Sequence, residues 1–120
     1  MSDGLQTIPA ALRRKERYIL FKIEGDHDFG LGDVVDAMWK ELISFLGEQQ
    51  VSKIDPWIMG DLFSQDKQVG GIRVNKDYVE EARTAIALID RIGDTNICIH
   101  VLGVSGTIES ARDKYLQALD

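Results

Sequence analysis

Trp57 to Ile89, WIMGDLFSQDKQVGGIRVNKDYVEEARTAIALI, is the stretch on which the architecture turns. Two short apolar runs, Trp57 to Phe63 and Val69 to Val74, are separated by Ser64, Gln65, Asp66, Lys67 and Gln68. That is loop chemistry of hairpin length, so the runs pair antiparallel. Pro56 has no N–H to give to a ladder and can only open the first strand. Immediately after the second run, Asn75 is placed to cap a helix, and Asp77 in the first turn complements the helix dipole. Val79, Ala82, Ile86 and Ile89 then recur on one inward face, with Gly93 as terminator.

Working outward, Tyr18 to Glu24 alternates. Ile19, Phe21 and Ile23 point one way, and Tyr18, Leu20, Lys22 and Glu24 the other, as in a strand. Gly25 to Gly32 is a glycine- and aspartate-rich turn. Val35, Met38, Trp39, Leu42 and Leu46 follow at helical spacing, with Asp33 at the N-terminus and Gly47 as the stop, for a helix of about four turns. Downstream, Ile97 to Val104 is an almost unbroken apolar run, expected of a strand covered on both faces or near the middle of a sheet. Thr107 caps a closing helix with Ile108, Ala111, Tyr115 and Leu119 as its buried stripe and Glu109 at its positive end.

The order βαββαβ plus a terminal helix makes this an α/β (α+β) chain. Its expected fold is the split-βαβ, ferredoxin-like antiparallel sheet with an additional C-terminal helix. Both crossovers should be right-handed. Two helices cover one face of the sheet, and the other is left for the terminal helix, a partner subunit or a ligand. The 120 residues, 44% of them hydrophobic, suffice for one core without disulfides or metals. The expected division is a flexible basic arm over 1–16 and a single domain over 17–120. The one cysteine, Cys98, lies in the last apolar run, where it reads as a small buried hydrophobe in a reducing compartment. No secretory signal is present, and no apolar run approaches the roughly 20 residues that span a bilayer. The expected setting is the cytoplasm, with no membrane partner.

The net charge of −6, from 20 acidic and 14 basic side chains, argues on its face against a polyanionic partner. The charge is segregated, however. Arg13, Arg14, Lys15 and Arg17 fall within five positions, and Glu24, Asp26, Asp28, Asp33 and Asp36 follow. The basic cluster is either a solvated approach to the first strand or an arm that neutralises phosphates. The turn Leu102-Gly103-Val104-Ser105-Gly106-Thr107-Ile108, followed by Arg112 and Lys114, also has two readings. It is a phosphate cradle at a helix N-terminus, or an ordinary strand-to-helix turn that uses glycine for geometry and threonine as a cap. Residue chemistry alone favours the ordinary turn. Asp26, His27 and Asp28 lack a second ligand cluster, so no metal is assigned. Cys98 and His100 are assigned structural roles. Of the aromatics on the central strands only Tyr18 is available for base stacking, so any nucleic-acid contact should be chiefly electrostatic and shape-directed.

Val101 to Lys114, VLGVSGTIESARDK, closely resembles the C-terminal signature of archaeal ribonuclease P protein component two, of the Pop/Rpp small-subunit family. Leu12 to Phe21 (LRRKERYILF) is similar to that family's basic lead into its first strand, and Asp33 to Leu46 to its tryptophan-bearing helix. Gly71 to Ile89 (GIRVNKDYVEEARTAIALI) is similar to its arginine-bearing strand and second helix. These segments span most of residues 12–116 in order.

The resemblance implies a non-catalytic RNA-binding subunit of the ribonuclease P holoenzyme, the endoribonuclease that removes 5′ leaders from precursor tRNA. The RNA performs the hydrolysis with magnesium that it binds itself, and this chain holds no cofactor. The implied partners are ribonuclease P RNA, precursor tRNA indirectly, a larger TIM-barrel-like protein subunit and a second copy of the chain. The implied RNA contacts are Arg13, Arg14, Lys15 and Arg17, with Arg73, Lys76, Ser105, Thr107, Arg112 and Lys114 as further candidates. Family members are often basic and this chain is acidic, so its RNA binding should survive higher salt than four phosphate contacts alone allow. Two other classes fit less well. A ferredoxin-like module that binds a small molecule or oligomerises leaves the basic cluster unexplained. An acyl-phosphate hydrolase needs an arginine in the Gly25 to Gly32 turn, which has none.

Overall fold

The computed structural model describes residues 15–120. Arg13, Arg14 and most of the expected basic arm therefore lie outside the described residues. Strand β1 (Glu16–Glu24) begins at the residue after the described chain opens at 15, and it is central in a four-stranded antiparallel sheet. Its neighbours are β3 (Val69–Asn75) on one side and β6 (Cys98–Ser105) on the other, with β2 (Trp57–Ser64) outside β3. The order β2-β3-β1-β6 is the one that two interleaved βαβ units generate.

The period-two pattern of β1 explains how one strand serves two packed layers. Ile19, Phe21 and Ile23 join the main core with helix α1 (Leu31–Ile54) and helix α2 (Val79–Ala87). Tyr18 and Leu20 join a second core under helix α3 (Ile108–Ala118), with Leu62, Val69, Ala111 and Tyr115. Lys22 and Glu24 are exposed on that second face. The expected terminal helix thus takes the face that α1 and α2 leave open.

Helix α1 departs from expectation in two ways. Its buried residues are Val34, Met38 and Leu42, then Val51 and Ile54, whereas Val35 and Leu46 are half-buried and Trp39 is 40% exposed. Apolar residues at both 34 and 35 fit one helical stripe, so periodicity cannot fix the stripe's centre. Gly47 does leave the helical region (φ 83°, ψ 158°), but it produces a kink and the chain resumes its helix to Ile54. The true stop is Asp55 in the left-handed region, whose N–H bonds the Val51 carbonyl, with Pro56 behind it.

Asn75 caps as expected, its Oδ1 accepting the Asp77 N–H at 2.9 Å, but it opens a 3₁₀ turn (Lys76–Tyr78) that leads into α2. Gly93 is not the terminator of α2, which ends at Ala87. Its positive φ of 60° instead makes the turn of a two-residue ladder between β4 (Arg91–Ile92) and β5 (Thr95–Asn96). Strand β6 lies at a sheet edge, not the middle. Cys98 is exposed there rather than buried, and exposed His100 meets Glu24 of β1 at 2.6 Å. An unbroken apolar run records hydrophobicity, not the strand's place in the sheet. Thr107 caps α3 as expected, accepting the Ser110 N–H.

Candidate nucleic-acid interface

In an antiparallel sheet, residues directly opposite each other share a face. Trp57 opposes Arg73, Arg73 opposes Tyr18, and Tyr18 opposes Ser105, so these four form one row across the whole sheet on the α3 side. Tyr18 and Ser105 are buried (7% and 3% exposed), Arg73 is half-buried and Trp57 is 60% exposed. Tyr18 is therefore covered by the α3 core and does not offer its ring to a base.

The next residues along the strands complete one end of the sheet. The carbonyl of exposed Lys15 accepts the Lys76 N–H at 2.7 Å, which draws the two lysines' backbones together where β1 starts and β3 ends. Lys15 and Arg73 line an open cleft of about 240 Å³ with Glu16, Asp55, Val74 and Asn75. Three of the cations singled out from sequence thus gather at one place, Lys15, Arg73 and Lys76. Carboxylates are interleaved with them, Glu16 and Asp55 inside the cleft and Asp77 next to Lys76.

The other candidates are held differently. Arg17 opposes Val74, so it lies on the α1 and α2 side, and its guanidinium donates to the Glu16 carbonyl at 2.8 Å. Ser105 accepts the Ser110 hydroxyl at 3.3 Å, and Thr107 accepts the Ser110 N–H at 3.2 Å. Both hydroxyls of the glycine-rich turn are therefore engaged within the fold. Arg112 pairs with Asp61 at 3.3 Å in an exposed ion pair, and Lys114 donates to the Val104 carbonyl at 3.0 Å. The Asp61 carboxylate also acts on Tyr115, whose phenol is raised above its ordinary value of 10.0 by burial first and that negative charge second. Among the described residues, no cluster of three or more His, Cys, Asp or Glu is arranged to hold a metal ion.

The sequence reading missed Trp57 as a site residue and the carboxylates Glu16 and Asp55 as members of the cleft. A signal for Trp57 was present. It is the residue after a proline at the start of a strand, on the same strand face as Met59, which packs against the α3 core.

Residues 17–116, from the second position of β1 to within the last turn of α3, match the model of the Rpp14/Pop5 family. Ribonuclease P protein component 2 of Pyrococcus horikoshii is 37% identical over 116 residues, 97% of this chain and 95% of that protein. Its counterpart in Methanocaldococcus jannaschii is 35% identical, covering 97% of this chain and 84% of its own length. A chain of the yeast ribonuclease MRP structure superposes with a TM-score of 0.62 at 15% identity, covering 87% of this chain and 86% of that one, a likeness of fold. A match that takes in all four strands of the main sheet and reaches into the terminal helix, with relatives alike over nearly their full length, means that the chain belongs to the Rpp14/Pop5 family.

Proposed function

We propose that this chain is a protein subunit of ribonuclease P that binds the catalytic RNA and supports removal of 5′ leaders from precursor tRNA, without catalytic residues of its own. The observation that carries the reading is its near-full-length likeness to archaeal ribonuclease P protein components. Hydrolysis, with the magnesium it uses, is assigned to the RNA, and a larger TIM-barrel-like protein subunit is the expected protein partner. The end of the sheet formed by Lys15, Arg73 and Lys76 is the proposed phosphate-facing edge, and Arg13 and Arg14, outside the described residues, are further proposed RNA contacts.

Cations from two segments distant in sequence, Lys15 before β1 and Arg73 with Lys76 at the end of β3, suit a backbone that has turned or folded. They hold register by position, whereas bases supply any sequence preference. Replacing Lys15, Arg73 and Lys76 together by alanine is expected to weaken binding to ribonuclease P RNA. It should also make the dependence of log K on log salt shallower, by at most about 2 to 3 in slope and by less where Glu16 and Asp55 offset the cations. Titrations over a range of salt check this, with urea unfolding as a control for the fold. An unchanged slope would mean that these side chains do not meet phosphates.

A further inference from the structure

We infer that Trp57 is a stacking platform for an unpaired nucleobase, set beside the cations that hold the adjoining phosphates; the inference rests on the RNA-binding reading above and names the kind of RNA it takes.

Trp57 is the most exposed large hydrophobic side chain among the described residues, at 60%. A large aromatic surface in water favours any partner that removes it from water, and indole suits positions where one side is apolar and the other wet. Its backbone is fixed from both sides. Asp55 ends α1 in the left-handed region, Pro56 is buried, and Trp57 then enters the ladder opposite Arg73. The ring is therefore presented from a fixed point on an outer strand, one strand away from a guanidinium on the same face. An aromatic ring with an arginine plane close by is the side-chain chemistry that holds splayed-out bases of single-stranded RNA.

Charge separates this aromatic from the other exposed ones. Trp39 lines an open groove of about 370 Å³ with Ile43, Glu48, Val51, Ser52 and Asp55, which carries carboxylates and no cation. Phe45 and Leu88 lie with Glu80 and Glu81, again without a cation. Among the described residues, Trp57 is the exposed ring whose cross-strand neighbour is a cation, Arg73.

The same accounting explains why stacking is needed. In the cleft, Lys15 and Arg73 are offset by Glu16 and Asp55, and the chain as a whole carries −6. Counterion release from so few uncompensated cations gives little affinity and loses it as salt rises. Stacking adds a contribution that salt hardly screens and that any base can supply, because every base has a π-face. It is thus a physical source for the salt-tolerant binding expected of an acidic family member. A regular duplex hides its base faces, so the ligand is a loop, bulge or single-stranded joint of the RNA.

Fluorescence titration of the full chain tests this in a Trp39→Phe background, where Trp57 is the one remaining tryptophan. The probes are ribonuclease P RNA, a short oligoadenylate and a hairpin duplex. Quenching is expected with the first two and little with the duplex. Trp57→Ala should weaken binding to ribonuclease P RNA by about 10- to 100-fold with the salt slope unchanged. Trp57→Tyr should keep most of the affinity and Trp57→Leu should not. Wild-type affinity in Trp57→Ala overturns the inference. Equal affinities for the tyrosine and leucine variants also overturn it, because they assign the position to general apolar packing, as against a protein partner. Absence of any binding by the wild-type chain would instead remove the RNA-binding reading itself.

Discussion

Replacing Gly70 by valine is expected to destabilise the protein by about 3 kcal/mol, seen as a lower urea midpoint with the slope unchanged. Gly70 sits in β3 directly opposite Phe21 of β1. A Cβ at that position would lie 2.6 Å from Phe21 Cζ and 3.1 Å from both Phe21 Cε1 and Phe63 Cδ1. Phe21 is fully buried between the sheet and the helices, so its ring has nowhere to move without displacing the main core. The neighbouring Gly71 meets Leu62 and Leu20 on the other face, at 3.3 to 3.5 Å. Two successive glycines thus let bulky residues of the flanking strands lie over β3 from both sides. The sign of the effect is what discriminates. Valine has the higher strand propensity and costs less backbone entropy than glycine, so with open space the substitution would stabilise. A midpoint at or above wild type would contradict this packing.

Gln68→Ala is expected to cost about 2 to 4 kcal/mol, a large effect for one loop residue. Gln68 is 5% exposed, and its side chain clamps Phe29 from a distance of 39 residues. The Oε1 accepts the Phe29 N–H at 3.0 Å, and the Nε2 donates to the Phe29 carbonyl at 2.9 Å and to the Gln65 carbonyl at 2.7 Å. Its own carbonyl accepts the Ile23 N–H at 2.8 Å. One residue therefore ties the turn before α1 to the β2–β3 hairpin. Truncation strands both backbone groups of buried Phe29. Gln68 also has φ 54°, a conformation that glycine adopts more readily. Gln68→Gly relieves that backbone cost and loses the clamp. It should destabilise nearly as much as alanine, and a stabilised Gln68→Gly would show that the clamp contributes little.

The contrast between these two positions shows what a sequence can carry. The hairpin, the capped second helix and the order of elements along the chain were legible because each leaves a local trace, in turn residues, capping side chains or periodicity. Gln68 leaves none, since its partner is 39 residues away and its neighbours Asp66 and Lys67 are exposed loop residues. Helix α1 was legible as a helix but not in its orientation, because adjacent valines at 34 and 35 fit the same stripe. Gly47 and Gly93 were read as helix ends because a positive φ is the common fate of glycine there, and in this chain it serves a kink and a hairpin turn instead. Cys98 was misplaced because the run around it is apolar, yet alternation on an edge strand turns it outward. In the candidate interface Lys15 was legible as part of a charge cluster, and Arg73 and Lys76 only through the family resemblance. Their gathering with Trp57 was not, because it depends on strand pairing that brings residues 15, 57, 73 and 76 to one end of the sheet.

The subunit role is tested most directly by precursor tRNA cleavage, with ribonuclease P RNA and its protein partners reconstituted with and without this chain. Leaving the chain out should depress cleavage, and adding it back should restore the rate. Equal cleavage in its presence and absence would contradict the role proposed for it.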